Sequence, residues 1–260
     1  MSETRPANPA AHQGTSFPAT RWSVVRAAGD PDAAVRARAM DKLIAAYWRP
    51  VYKHLRWKWR LSAPDAEDTT QDFFARALER DTFARYDPAQ ARFRTFVRLC
   101  VDRFVANQLQ AAGRQKRGGG TPMLALDFAG AESEIAIQPV SAEPDAEAVF
   151  RREWTRSLFM LAVDDLRGLC EERGKRSHFA LFERYDLERT EDGPDYAQLA
   201  AEFDLPVTQI TNYLAWARRE LRRLVLARLL ELTATTSEYR SEARDLLGFD
   251  PGASESGETA

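Results

Sequence analysis

Apolar residues recur at helical spacing along most of this chain, and that repeat limits what it can fold into. Between residues 33 and 57 they fall three or four positions apart, as on one face of a helix. A broader stripe runs between residues 93 and 109, and no useful stretch alternates as a strand does. The sequence therefore predicts an all-α fold. The two stripes are Val35, Ala39, Leu43, Ala46, Tyr47 and Val51, then Phe93, Phe96, Val97, Cys100, Val101, Phe104, Val105 and Leu109.

Composition divides the 260 residues into five segments. Residues 1–19 are polar, which predicts a disordered N-terminus and not a signal peptide. Residues 20–117 carry the first helical patterns, and residues 118–144 hold acids, glycines and prolines without periodicity. Residues 145–232 carry a second helical unit, and residues 233–260 predict a mostly disordered extension with one short helix. The predicted architecture is two helical domains joined by a flexible acidic linker.

Charge is divided between the two halves of the first domain. Residues 61–90 hold seven acids and three bases, whereas residues 91–117 hold seven bases and one acid. The acidic box at 65–74 follows Ser62, and either Ser62 or Asp65 can cap the start of a helix there. Acidic helix faces are usually solvated or bind proteins, and basic helices with aromatics suit nucleic acid. The aromatics of the basic half fit two interpretations, core packing and contact with bases.

Two helical patterns lie close together in the second domain. Residues 195–203 and 207–231 each carry one apolar face, and the break at 204–206 is short, as in a helix-turn-helix. Residues 207–228 carry five arginines and one acid. A helix of this kind suits the major groove of duplex DNA. Its polar face presents Thr208, Gln209, Thr211, Asn212, Arg218, Arg219 and Arg222.

Motifs of catalysis, cofactor binding and membrane insertion are missing from the sequence. There is no Gly-rich phosphate loop, nucleophile elbow or pair of histidines on one helix. His12, His54 and His178 are scattered, and Cys100 and Cys170 are expected to be buried, reduced thiols. No apolar run approaches the roughly 18 residues of a membrane span. We therefore expect a cytoplasmic protein that is not an enzyme and uses no cofactor, metal or membrane.

Three motifs follow one another in the first domain. They are Asp65-Ala66-Glu67-Asp68-x-Thr70-Gln71-Asp72-x-Phe74, Phe83-x2-Tyr86-Asp87-Pro88 and Phe93-Arg94-Thr95-Phe96. Together they resemble the second conserved region of bacterial RNA polymerase sigma factors, and the short two-domain layout looks like the extracytoplasmic-function group. The resemblance covers residues 20–117 and 145–230. It implies a factor, monomeric when free, that binds core RNA polymerase and directs it to specific promoter DNA.

The resemblance also implies a role for each segment. In the family the acidic helix binds the polymerase clamp helices, the next helix melts and reads the −10 element, and the helix-turn-helix reads the −35 element. The polymerase-binding residues so implied are Asp65, Glu67, Asp68, Gln71 and Asp72. The −10 residues so implied are Arg94, Thr95, Arg98, Arg103, Asn107, Arg114, Lys116 and Arg117, and the −35 residues are the seven named on the second helix. The linker is implied to thread toward the polymerase active channel, where its acids would mimic a strand.

The chain departs from the family pattern at several positions. Thr211, Tyr213 and Trp216 stand where many members carry basic residues, Phe96 replaces a tryptophan, and the join over residues 166–194 is longer. Two other interpretations stay open: an all-helical enzyme, and a stand-alone helix-turn-helix regulator with an N-terminal sensor or dimerisation domain. A regulator would bind duplex DNA by itself as a symmetric dimer, whereas a sigma factor requires core polymerase. An anti-sigma factor or another regulator is a further partner that the sequence does not identify.

Overall fold

The computed structural model describes residues 23–112, 125–137, 145–190 and 193–252. The regular structure in these residues is helical throughout, and none of them lies in a β-strand. The predicted all-α class is therefore confirmed. None of the described helices is both long and apolar enough to cross a membrane.

The described part of the chain forms ten α-helices, one 3₁₀ turn and one π-helical turn. The 3₁₀ turn is Thr82–Arg85, between the third and fourth helices, and the π turn is Glu183–Leu187, after the seventh. The helices are α1 Val24–Ala27, α2 Ala33–Trp57, α3 Ala63–Glu79, α4 Phe93–Ala112, α5 Phe128–Ile137, α6 Ala146–Glu172, α7 Arg176–Phe182, α8 Tyr196–Glu202, α9 Val207–Glu231 and α10 Thr236–Leu247.

Local side chains decide where several helices begin. The Ser62 hydroxyl accepts the backbone N–H of Asp65 at 3.3 Å and donates to the Asp65 carboxylate at 2.6 Å. Ser62 is therefore the cap of α3, as one of the two predicted alternatives had it. Asp195 and Gln198 form a reciprocal capping box at the start of α8. Such caps satisfy backbone groups that the first helical turn leaves without a partner.

The main core draws on helices from both predicted domains. The Tyr47 ring of α2 lies edge-on to Phe93 of α4 at 5.6 Å and stacks against Trp154 of α6 at 6.5 Å between centroids. Leu229 of α9 and Ala243 of α10 are fully buried in the same cluster. The predicted boundary before α6 therefore does not separate two cores.

The length of α6 explains why one core reaches across that boundary. Its 27 residues extend about 40 Å at 1.5 Å per residue, which exceeds the width of one small core. The first half, with Phe150 and Trp154, packs in the main core. The second half, with Leu166 and Cys170, packs with α7, α8 and the start of α9 in a second cluster. A continuous helix thus links the two units.

Part of the predicted linker is a docked helix and not a flexible tether. Phe128 and Ala131 of α5 are buried, and the Phe128 ring lies 5.5 Å from Trp48 and 5.0 Å from Tyr52 of α2. The acids of α5 pair with bases of α2 and α6, so the described acids of this segment are engaged within the fold. These pairs are Glu132 with Arg56, and Glu134 with Arg49, Lys53 and Arg156.

The start of the C-terminal extension also belongs to the fold. Thr235 caps α10, Ala243 is fully buried, and Gly248 ends the helix in the left-handed conformation that glycine adopts without strain. Residues 233–252 are thus ordered structure, in contrast to the mostly disordered extension that composition predicted. The predicted short helix of this segment is present as α10.

Candidate nucleic-acid interface

Helix α3 buries one face and presents acids on the other. Phe73 and Phe74 are buried, together with Ala66 and Ala77. Glu67 and Asp68 form no ion pair with any described residue. This acidic face of α3 is therefore open to a partner. All five predicted polymerase-binding residues lie on it: Asp65 and Asp68 are exposed, and Glu67, Gln71 and Asp72 are partly exposed.

A groove of about 520 Å³ lies between α3, the 3₁₀ turn and α4. Aromatic side chains line it, among them Phe73, Tyr86, Phe96 and Phe104. The Tyr86 ring lies 5.3 Å from the Phe96 ring, and its hydroxyl donates to the Ala91 carbonyl at 2.8 Å. The loop before α4 is thereby held against the helix. The groove offers flat apolar surfaces on which a planar ring can stack.

Four exposed arginines, Arg76, Arg80, Arg85 and Arg103, line this arginine groove. None of them forms an ion pair with a described residue, and the Arg76 guanidinium lies 5.5 Å from the Phe104 ring centroid. Asp87 is the only acid among the lining residues. Hydrogen bonds from the Ala89 backbone and the Gln90 side chain lower the pKa of Asp87, which therefore stays ionised. Four cations against one anion give the groove a charge balance that suits a phosphate-bearing ligand.

Sequence reasoning found only part of this groove. Arg103 and Asn107 were predicted and do line it. Arg76, Arg80 and Arg85 were missed because they belong to the half of the segment that is acidic by count. The available signal was their spacing, since residues four apart on α3 share one helix face and Arg85 follows after one tight turn.

Two of the arginines predicted to contact DNA form ion pairs within the protein. Arg94, 6% exposed, donates to Glu242 at 2.8 Å and to Glu147 at 2.9 Å. Arg98 donates to Glu147 at 2.6 Å and to Asp102 at 3.0 Å. These side chains point toward α6 and α10, whose carboxylates neutralise them, so neither lies in the groove.

The other residues predicted on or near α4 divide in the same way. Thr95 donates to Glu147 at 2.8 Å and so also faces α6. Arg114, Lys116 and Arg117 lie outside the described residues.

Cys100 lines the groove and is half-buried, not fully buried as predicted, and burial raises the pKa of its thiol to about 11. At neutral pH this thiol is protonated and adds an apolar surface to the groove.

Helices α8 and α9 are joined by a tight turn at residues 203–206. Asp204 has φ of 51°, and the Leu205 N–H donates to the Ala200 carbonyl at 3.0 Å, which closes the end of α8. Ile210 and Leu214 of α9 are fully buried toward α7 and α8. All seven residues predicted on the polar face of α9 are exposed: Thr208, Gln209, Thr211, Asn212, Arg218, Arg219 and Arg222.

Two aromatic residues of α9, Tyr213 and Trp216, pack against α7. The Tyr213 ring stacks on the His178 ring at 3.7 Å between centroids. Trp216 lies edge-on to His178, with the Lys175 ammonium 4.9 Å from its ring. Both aromatics therefore face α7 and not the exposed polar face. On that face Arg218 forms a bidentate pair with Asp186 at 2.8 and 2.9 Å.

Comparisons with known proteins and a search for metal ligands add no further assignment. No family model, curated protein or solved structure matches this chain. Within the described ranges, no three His, Cys, Asp or Glu side chains are grouped to hold a metal ion. The acidic face of α3 and the arginine groove are thus the features on which a functional proposal can be based.

Proposed function

We propose that this chain is a transcription initiation factor of the sigma type, similar to the extracytoplasmic-function group. The acidic face of α3 binds core RNA polymerase, and the arginine groove holds promoter DNA where its strands separate at the −10 element. The observation that carries the proposal is the groove, which is lined by aromatic rings and by four arginines that form no ion pair with a described residue.

The groove suits a single strand better than a duplex. Stacking requires that the face of a base be exposed, and only an unstacked base offers that face. The arginines supply cations for the phosphates, and Asn107 supplies an amide that can read a base edge. A ligand with both flat rings and regular phosphates satisfies the whole lining.

The acidic face of α3 supports a separate protein partner. Exposed carboxylates repel nucleic acid and attract a basic surface. Asp65 and Asp68 lie three residues apart on α3, whereas the groove arginines are on its second half and beyond. One helix therefore carries a protein-binding end and a nucleic-acid-binding end, which is the division that a polymerase-bound factor requires.

In the same proposal, α8 and α9 act as a helix-turn-helix that reads the duplex −35 element. Of the seven residues predicted to read this element, only Arg218 forms an ion pair with a described residue. Arg219 and Arg222 are the cations best placed to contact phosphates, although the Arg222 guanidinium also lies 5.6 Å from the Phe249 ring. The protein would work in the cytoplasm, where polymerase and promoters meet, and be a monomer when free.

Binding to core polymerase tests the acidic face directly. Asp65→Arg with Asp68→Arg should abolish capture by core polymerase and promoter-dependent run-off transcription, because both carboxylates become repelling cations. The matched control is Asp41→Arg with Glu172→Arg, two exposed acids outside α3 that form no ion pair with described residues. Circular dichroism verifies that both variants fold. Full capture of the α3 variant by core polymerase would refute the assigned role.

The groove is tested by the salt dependence of oligonucleotide binding. Replacing Arg80, Arg85 and Arg103 with Gln should weaken binding of a fluorescent single-stranded oligonucleotide. It should also flatten the salt slope by about 2, since each phosphate contact on a single strand contributes about 0.7. The control, with the same loss of charge, replaces the exposed, unpaired Arg38, Arg151 and Arg173. Equal salt slopes in the two triple variants would mean that the strand does not bind in the groove.

A further inference from the structure

The arginine groove has the size of a small-molecule site. Its volume is about 520 Å³, and clefts that bind small ligands enclose about 300 to 1,000 Å³. Its walls come from consecutive elements of one helical unit, namely α3, the 3₁₀ turn and α4, so the groove is present in the free chain. A ligand smaller than a DNA strand can therefore occupy it alone.

Aromatic rings lie at both ends of the groove, but only one end leaves them clear of a cation. The Tyr86 and Phe96 rings lie 5.3 Å apart and are partly exposed. Phe104 lies eight residues further along α4, about 12 Å away at 1.5 Å per residue, and the Arg76 guanidinium lies 5.5 Å from its ring centroid. A planar base can therefore stack on Tyr86 and Phe96, with Arg76 near the other end of the same ligand.

The cations of the groove lie on two sides of it. Arg76 and Arg80 are four residues apart on α3, so they share one helix face and begin about 6 Å apart along it. Arg103 belongs to α4, which forms the facing wall. None of these three side chains forms an ion pair with a described residue. Guanidinium groups on both sides of a ligand can bind the oxygens of adjacent phosphates with paired N–H groups.

The charge of the groove matches a short chain of phosphates on one nucleotide. Four guanidinium groups and the Asp87 carboxylate leave a net charge of +3 among the lining residues. A strand brings one negative charge for each nucleotide, whereas a nucleoside triphosphate brings about three or more on a single nucleotide. One triphosphate therefore neutralises the groove within its small volume, and it relieves the repulsion among like charges.

We propose that the arginine groove is also a binding site for a free nucleoside triphosphate. The base lies on Tyr86 and Phe96, and the phosphates lie between Arg76, Arg80 and Arg103. The inference rests on the proposed function for one consequence, which is that the nucleotide and the promoter strand compete for the groove. Binding of the strand then falls as the concentration of the nucleotide rises.

The first test is isothermal titration calorimetry of the full chain with ATP, AMP and inorganic tripolyphosphate. ATP should bind about tenfold more tightly than AMP, because its additional phosphates meet the arginines. ATP should also bind more tightly than tripolyphosphate, because only ATP has a base that can stack. Equal affinities for ATP and AMP, or for ATP and tripolyphosphate, would overturn the proposal.

A pair of matched variants tests the phosphate end of the site. Arg76→Gln with Arg80→Gln should weaken ATP binding about tenfold and weaken AMP binding less, because AMP has only one phosphate. The control is Arg38→Gln with Arg151→Gln, which removes the same charge from two exposed arginines that form no ion pair with a described residue. Equal affinities of the two double variants for ATP would overturn the proposal.

The position of the nucleotide is tested on the wild-type protein through Cys100. This residue lines the groove and is four residues from both Phe96 and Phe104, whereas Cys170, the only other cysteine, is fully buried. Saturating ATP should slow the alkylation of Cys100 by iodoacetamide severalfold, as measured by mass spectrometry of the peptides. An unchanged rate with ATP bound would place the nucleotide outside the groove and overturn the proposal.

The calorimetry and the alkylation contain neither DNA nor polymerase, so their failure is distinct from a failure of the proposed function, which shows in the core polymerase capture. Competition is then measured directly, since ATP should release a fluorescent single-stranded oligonucleotide from the wild-type protein. Simultaneous binding of ATP and the oligonucleotide would overturn the predicted competition. If ATP binds and the oligonucleotide does not, the proposed function fails and the nucleotide site stands.

Discussion

Single residues decide how charge is held inside this fold, and Asp102 of α4 is the clearest case. Its carboxylate accepts hydrogen bonds from His54 at 2.8 Å, Lys58 at 2.7 Å and Trp59 at 2.9 Å, besides the pair with Arg98. Burial by itself would raise the pKa of Asp102, but the bonds from His54, Lys58 and Trp59 outweigh burial and hold the pKa far below its usual range. The network fastens α4 to the end of α2.

Asp102→Asn should lower the free energy of unfolding by about 3 kcal/mol at pH 7, because the buried His54 and the partly buried Trp59 and Arg98 lose their anionic partner. A carboxylate with a lowered folded pKa stabilises fully above its unfolded pKa of about 3.9 and loses that effect as pH falls toward the folded value. The gap between wild type and variant should therefore shrink between about pH 5 and pH 2. Urea unfolding across this range measures it, with the exposed Asp68→Asn as control. A gap independent of pH would contradict the assigned pKa.

At the scale of elements, α5 shows how a short helix can be hidden in an acidic segment. Only ten residues are helical, so periodicity across the whole segment is weak. The helix is held in place by the buried Phe128 and by Glu132 and Glu134, which pair with bases of α2. Lys53, 1% exposed, lies between Glu134 at 2.6 Å and Glu153 at 2.7 Å. The acids of α5 and the bases of α2 are balanced only when the two helices pack against each other.

Phe128→Ala should destabilise the protein by about 3 kcal/mol, because it opens a cavity between α5 and α2. The exposed Ser133 on the same helix provides the control, and Ser133→Ala should change stability by less than about 0.5 kcal/mol. Chemical denaturation monitored by tryptophan fluorescence measures both, since Phe128 contacts Trp48. A negligible effect of Phe128→Ala would mean that α5 is not docked in solution.

At the scale of the whole molecule, the two predicted domains share a core. Helix α6 and helix α9 each contribute to both clusters, with Leu158 and Leu229 in the main one and Leu166 and Leu214 in the other. The first helical unit is therefore completed by residues that come after the predicted linker. When one cluster unfolds, the long helices that span both clusters also lose packing in the other, so the two clusters are coupled in stability.

A protein made of residues 20–117 alone should not show a cooperative thermal transition. Tyr47 would lose its contact with Trp154, and His54 its contact with Phe150, so the remaining core would be incompletely buried. The full chain should melt in one transition when followed by circular dichroism. If the fragment melted cooperatively at the temperature of the full chain, the shared core would not be required for its stability.

Much of the local structure followed from the sequence. The helical class, the cap at Ser62, the tight turn before α9 and the exposure of its polar face are set by residues close together in the chain. Periodicity and capping act over a few residues, so they can be recognised without the fold. The acidic face of α3 was also recognisable, because its carboxylates lie on one short helix.

The sequence by itself determined most of the helices and the division of charge, whereas only the tertiary structure decided which charges are free. Arg94 and Arg76 are both helical arginines beside aromatic residues. Arg94 is neutralised by Glu147, 53 residues away, and by Glu242, 148 residues away, whereas Arg76 has no ion-pair partner in the described structure. Coulomb attraction depends on distance in space and not on distance in sequence, so this selection required the packing of α6 and α10.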